Sequence, residues 1–289
     1  MYRRVGLLCI LTLTLGALPG FSADVSLRYK MAKGEMLRYQ CTTTGTGSVT
    51  MLDKIEPLNM TAEFTYVMTC TALDTSGNMT IVNRIEDLKT TATLSGQALP
   101  VSLQIPVITT VMSPTGTIVS TKVERVQQAG TPATGAPDVL QQMQFDVGQF
   151  FGDLRGPGFP AEPLHPGSRW QEVLNLTTQA GEKIPLQYTT TLLDYVQLEG
   201  RECVRLQTDY QLPLNLSLVA GNLFNLSGKQ TGSQIGYFDY QRGRMMRFDG
   251  TSDSEMTMAL PQLFGAGSGG QQAVKMTLRS VTSVVLQGS

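Results

Sequence analysis

Apolar and polar residues alternate with period two in segment after segment of this chain, and that alternation limits the fold more than any other feature. In Met60–Leu73 the apolar side chains fall at Ala62, Phe64, Tyr66, Met68 and Cys70, between more polar neighbours. Val101, Leu103, Ile105, Val107, Thr109 and Val111 repeat the pattern, as do Leu212, Leu214, Leu216 and Leu218. Val274, Met276, Leu278, Thr282, Val284 and Leu286 close the chain in the same way. Period two places one set of side chains on one face of a strand, whereas a helix would scatter them round its axis. A chain built from such segments must curl or stack its sheet to hide the apolar face.

The alternation is interrupted near mid-chain. Phe159-Pro-Ala-Glu-Pro-Leu-His-Pro-Gly-Ser-Arg-Trp170 holds three prolines and both the single histidine and the single tryptophan of the chain. Proline fixes φ and donates no backbone hydrogen bond, so this joint is expected to be neither helix nor central strand. Similar series of strands and turns lie on either side. Lys33-Gly34-Glu35 answers Pro166-Gly167-Ser168, Ser76-Gly77-Asn78 answers Glu199-Gly200-Arg201, and Pro114-Thr115-Gly116 answers Gln241-Arg242-Gly243. The Val101 strand is matched to the Leu212 strand. The reading is an internal duplication, with an N-terminal half over 24–158 and a C-terminal half over 159–289 that form one continuous domain.

Within this frame, Val25–Lys30 and Met36–Met51 are expected strands, and Asp53–Asn59, which contains Pro57, an expected loop. Ala129–Pro137 is a Gly/Ala/Thr/Pro linker. Pro137–Phe151 follows with Val139, Leu140, Met143, Val147, Phe150 and Phe151 at mostly helical spacing, and Pro137 suits a first turn. One helix is therefore expected at about 137–151. The fold expected is mainly β: a curved antiparallel sheet or half-barrel from two similar halves, with that helix against its concave face.

Residues 1–23 have the basic start (Arg3, Arg4), apolar run and small-residue end of a secretory signal peptide. No later run is long and apolar enough to span a membrane as a helix. The chain is thus expected to be exported, to a periplasm or to the extracellular space. Lys and Arg number 22 against 23 Asp and Glu, with no basic cluster, which argues against nucleic acid as a partner. Asn59, Asn78, Asn175, Asn215 and Asn225 begin Asn-x-Ser/Thr triplets, which in a bacterial chain reflect Thr-rich strands.

The motifs Leu27-Arg-Tyr-Lys30, Lys33-Gly-Glu35 with Tyr39, Ser113-Pro-Thr-Gly116, and Phe159-Pro160 with Pro166-Gly-Ser-Arg-Trp170 resemble a family of exported bacterial β-rich proteins of unknown function. That family is similar in turn to lipoprotein-type half-barrel carriers, whose curved sheet wraps a helix and shelters acyl chains. The resemblance implies such a sheltering role and brings no catalytic residues with it. The chain departs from the lipoprotein members in lacking an acylatable cysteine, since Cys9 lies inside the apolar run.

A search for chemistry yields no catalytic, cofactor-binding or metal-ligating set. His165 stands alone, so no histidine metal cluster can form. Ser268 has Ala266 where a nucleophile elbow needs glycine, and the Gly265–Gly270 loop has no lysine. Asp253 and Glu255 share a strand face and read as a solvated polar surface. The remaining lead is apolar. Met143, Phe150, Phe151, Trp170, Phe64 and Tyr66 are the candidate lining of a cavity between sheet and helix. The function expected is non-catalytic binding of a lipid or other apolar molecule. The alternative is a structural or assembly module of the cell envelope that binds another protein. Finally, if Met51 faces Met60 across a Leu52–Asn59 loop, Cys41 falls opposite Cys70 and a disulfide is expected. Cys203 alternates with Arg201 and Arg205 and should stay free on the polar face.

Overall fold

The computed structural model describes residues 24–51, 53–99, 107–124, 156–177, 183–218, 224–260 and 272–288. The expected helix, with Met143, Phe150 and Phe151, lies outside them, as do the leader and the Gly265–Gly270 loop. Among the described residues every regular element is a strand: β1 (Met36–Met51), β2 (Lys54–Leu73), β3 (Met79–Leu94), β4 (Gln97–Ala98), β5 (Val107–Met112), β6 (Ile118–Glu124), β7 (Arg169–Thr177), β8 (Lys183–Leu198), β9 (Arg201–Leu218), β10 (Phe224–Asp239), β11 (Arg244–Leu260) and β12 (Gln272–Leu286).

All twelve belong to one curved antiparallel sheet, ordered β6-β5-β3-β2-β1-β12-β11-β10-β9-β8-β7, with β4 beside β3. Strands consecutive in the chain pair with one another, except that β3 pairs with both β4 and β5 and β6 does not pair with β7; β1 pairs with β12 at the seam between the halves. The order is that of an up-and-down barrel left open at one place, between β6 and β7. The alternation read from sequence sets the two faces. In β1 Leu37, Tyr39 and Cys41 are buried, while Thr42, Thr44 and Thr46 are exposed.

Six loops and turns gather at one end of the sheet, here called the upper end. Two of them are built alike. Gly34 N donates to Cys70 O at 2.7 Å and Gly167 N to Leu192 O at 2.7 Å. Cys70 N donates to Glu35 O at 2.9 Å and Leu192 N to Ser168 O at 3.0 Å. Ala32 N donates to the Glu35 carboxylate, and His165 N to Ser168 Oγ. Gly34 and Gly167 have φ of 84° and 91°, a left-handed conformation that glycine adopts without steric cost. The other matched glycines, Gly77, Gly200, Gly116 and Gly243, also have positive φ.

The joint is irregular, as its prolines require, but its role is to fill the sheet. Two straps, Val25–Met31 and Gly156–Leu164, cross the inner face at the upper end. They exchange hydrogen bonds between Val25 and Leu164 at 2.7 and 2.8 Å. Val25–Lys30 is therefore a strap with one isolated bridge and not a strand. Tyr29 N donates to Pro114 O, Phe159 N to Thr115 O and Lys30 N to Gly243 O, so the first strap is pinned to turns of both halves and the second to the Pro114 turn. Their side chains complete the main core. Tyr29 stacks on Phe159 with centroids 5.0 Å apart, and Phe238 meets Phe159 edge-on at 4.8 Å. Aromatic rings in these geometries attract beyond simple area burial.

Three further expectations are corrected. The β1–β2 hairpin turns at once, with Met51 opposite Lys54 and Asp53 at φ 60°, so Asp53–Asn59 is mostly strand. Aspartate tolerates that left-handed φ, and a tight turn closes the hairpin in place of the expected loop. Pro57 fits because it lies beyond Leu58↔Leu94, the last pair with β3, and its carbonyl accepts from Ser95 N at 2.8 Å. The register consequently pairs Cys41 with Phe64 and leaves Cys70 six residues further along β2. Six residues span about 20 Å of strand, far beyond the ~7 Å limit between bridged Cα atoms. Cys41 and Cys70 are free, buried thiols, not a disulfide. Cys203 is also free, but it is fully buried beside Val196 and not on a polar face.

Candidate functional site

Three rows of side chains run across the concave face, each set by strand register. The row nearest the straps is apolar: Cys41, Val284, Phe248, Gly236, Leu206 and Leu192 lie side by side. It belongs to the main core, in which Phe64, Val204 and Phe238 are essentially inaccessible. Two residues further down each strand the chemistry changes. Thr43, Thr282, Gly250, Gln234, Thr208 and Thr190 form the second row. Thr43 Oγ1 and Thr282 Oγ1 are 3.1 Å apart, and Thr190 Oγ1 and Thr208 Oγ1 3.0 Å, so hydroxyls satisfy one another across strands. The next row adds Gly45, Ser280, Ser252, Gly232 and Tyr210. An added Cβ at Gly232 would come within 2.4 Å of the Tyr210 ring, which lies across that glycine.

Below this belt of small and polar groups the face is apolar again. Ile184, Leu186, Tyr188, Leu212, Met256 and Met258 form a second buried cluster, with Leu174, Tyr210, Val274 and Met276 packed against it. Met256 stands directly opposite Met276, and Met258 opposite Val274. The concave face thus has two apolar patches separated by a polar belt. The upper patch is filled by the straps. The lower one, rich in flexible and polarizable methionine, is the candidate site.

Of the residues expected to line a cavity, Phe64, Tyr66 and Trp170 are described, and Met143, Phe150 and Phe151 lie outside the described residues. Phe64 and Tyr66 are core residues of the upper patch, and Tyr66 Oη donates to Asn83 Oδ1 at 2.8 Å. Asn83 in turn donates to Ile108 O at 3.1 Å, so this buried polar pair ties β2 to β5 through β3. Trp170 packs edge-on against Phe159 at 6.3 Å, and its indole N–H donates to Gly158 O at 2.7 Å. It clamps a strap; it does not line the lower patch. Met276 alternates with Val274 and Leu278 in the sequence, but periodicity alone could not divide the face into two patches. That division follows from register.

Ionisable groups on this face are few. Burial pushes the Cys41 thiol up to about 12, and Tyr39, which donates to Met245 O at 3.2 Å, is pushed up further by the same cause. These groups are neutral at ordinary pH. His165 is exposed in the joint, with Nδ1 3.0 Å from Pro166 O. Asp253 and Glu255 lie on the exposed face of β11, where Glu255 meets Lys229 Nζ at 3.4 Å. Among the described residues no group of three His, Cys, Asp or Glu side chains could hold a metal ion. No helix of the described residues is long and apolar enough to cross a membrane.

No family model matches the chain, and no curated protein matches it. Its structural neighbours include lipovitellin, from a structure of lipid–protein interactions, at 11% identity and TM-score 0.43. That match covers 90% of this chain and 26% of the lipovitellin chain, so the protein spans about a quarter of that neighbour's length. A DUF1329 family protein from Desulfovibrio piger is also similar, at 10% identity and TM-score 0.11, covering 88% of this chain and 85% of its own.

Proposed function

We propose that this is an exported, non-catalytic protein that holds a lipid or similar apolar molecule against the lower part of its concave face. The observation that supports the reading is the second apolar patch, set apart from the main core by the belt of threonine, serine, glycine and glutamine. A core that served stability alone would gain from continuity, because the hydrophobic contribution grows with area buried. Each methylene of an acyl chain buried there contributes about 0.8 kcal/mol, so ten would contribute about 8 kcal/mol, a micromolar dissociation constant. The export proposal rests on the leader-like segment 1–23.

The test is fluorescence titration of the purified protein with Nile red, a neutral apolar probe. Val274 and Met276 are half-buried on the inner face, so Met276→Glu introduces a charge at the patch without emptying the core. The expected result is saturable uptake by the native chain, weakened at least about tenfold in Met276→Glu with the β-type circular dichroism intact. Absence of uptake, or uptake unchanged in the variant, would overturn the reading. A second reading is favoured by the open sheet edges. Val119 and Val123 of β6 and Val173 of β7 are 61%, 51% and 57% exposed, and such edges suit an envelope module that pairs with another protein.

A further inference from the structure

At the upper end, outside the lower patch, the first strap and the turns of both halves border an open cleft of about 520 Å³. Its apolar part is formed by Tyr29, Met31, Leu73, Met79 and Pro114. Arg28, Lys30, Arg242 and Arg244 also line it, against a single carboxylate, Glu35. The pairing within the cleft leaves this charge unbalanced. Glu35 Oε1 is taken by Arg244 at 2.8 Å, and its other oxygen accepts from Ala32 N at 2.7 Å. Arg28 donates to the carbonyl oxygens of Leu27, Pro160 and Ala161, at 2.7, 3.0 and 2.7 Å. Lys30 Nζ donates to Gln241 O at 3.0 Å. Carbonyl oxygens satisfy donors without neutralising them. Among the described residues Arg28, Lys30 and Arg242 form no ion pair with a carboxylate.

Two details sharpen the picture. Arg242 is exposed at the tip of its turn, and its backbone N–H, which donates to Asp239 Oδ1 at 2.8 Å, already fixes the loop without the side chain. Arg244 Nε is buried and has no acceptor. A buried donor without a partner is unusual enough to need a reason, and an anion seated beside it would supply one.

We propose that this cleft binds a small amphiphilic carboxylate, with its apolar body on Tyr29, Met31 and Met79 and its carboxylate between Arg242 and Arg244. Guanidinium groups recognise carboxylates through paired N–H donors, and a partly desolvated site strengthens that attraction. The carboxylate can belong to a free aliphatic acid or to the C terminus of an apolar peptide. The cleft is distinct from the lower patch, and its occupancy does not depend on what the lower patch holds.

Calorimetric titration of the full protein with sodium octanoate tests this, with octan-1-ol as the neutral control. Octanoate is expected to bind at least about tenfold more tightly than octanol, and Arg242→Glu to remove that advantage. Raising NaCl from about 0.05 to about 0.5 M should weaken octanoate and leave octanol unchanged. N-acetyl-Leu-Leu with a free carboxylate, compared with its amide, separates the two sources: tighter binding than octanoate assigns the cleft to a chain terminus, weaker binding to a free acid. Met276→Glu, which weakens neutral apolar binding at the lower patch, should leave the preference for octanoate over octanol in place. If octanol binds as well as octanoate, or Arg242→Glu has no effect, the cleft assignment is overturned. Loss of octanoate binding in Met276→Glu alone would place the acid on the lower patch and overturn it too.

Discussion

Cys41 and Cys203 are thiols that burial turns into pH sensors for the whole fold. Burial raises the Cys41 thiol from its ordinary value of 9.0 to about 12. Burial, helped by the charge of Asp239, raises Cys203 to about 11. The folded chain therefore keeps both protons when the unfolded chain would release them. The stabilisation is fully present below about pH 8.5, the unfolded thiol range, and is lost as pH rises through 11 and 12. Burial and the Glu202 carboxylate push Tyr240 the same way, to about 12. Urea midpoints measured from pH 7 to 11 should be flat at first and fall above pH 9. Replacing both Cys41 and Cys203 by Ala should lower stability at neutral pH by about 1 kcal/mol or more, yet make the alkaline fall shallower. An unchanged alkaline slope would mean that these thiols are not what titrates. Alternation in the sequence correctly placed Cys41 and Cys70 on the buried face. It could not give their register, because a slip by an even number of residues keeps every side chain on its face.

At the scale of elements, the joint after β6 matters more than any strand. Its prolines and glycines make it unable to join the sheet as a strand, and that frees Phe159 to enter the core between Tyr29, Phe238 and Trp170. β7 holds it from one side. Trp170 donates to Gly158 O at 2.7 Å and Glu172 accepts from Gly158 N at 2.8 Å, so two alternate residues of one strand grip both polar groups of one glycine. A Cβ at Gly158 would stand 2.8 Å from the Glu172 carboxylate oxygens, so the grip needs a glycine there. Glu172→Ala should cost about 1–3 kcal/mol by leaving that N–H unpaired, and Trp170→Phe about 1 kcal/mol for its lost hydrogen bond. Hydrogen exchange should show the Gly158 and Phe159 amides opening faster in both variants, with β10 and β11 unaffected. Equal loss of protection across the sheet would show that the strap has no separate stability. The irregularity of the joint was legible from Pro160, Pro163 and Pro166. Its destination was not, since nothing local tells Phe159 which sheet face it will meet.

For the whole molecule the decisive contact is the seam. β12 joins β1 over twelve residue pairs, from Tyr39↔Leu286 to Thr50↔Lys275, and among the described residues no other strand pairing links the two halves. Val284 and Leu286 lie in the main core, at 0% and 6% exposure. Ending the chain after Leu260 should abolish cooperative unfolding and soluble yield, since each such side chain contributes about 1.5–3 kcal/mol and β1 would become a raw edge. A truncated chain that kept its β-type circular dichroism and a cooperative urea transition would show that the straps alone hold the halves together. Amino-acid sequence by itself determined the strand class, the turn glycines, the irregular joint and the inward face of strands such as β1 and β12, because period and local φ are properties of neighbours along the chain. Tertiary structure alone decided the hairpin register that separates Cys41 from Cys70, the opening between β6 and β7, the division of the concave face into two apolar patches, and the meeting of Arg28, Lys30, Arg242 and Arg244. Those depend on pairing across the sheet between residues distant in sequence, where alternation permits many registers and only the packed whole selects one.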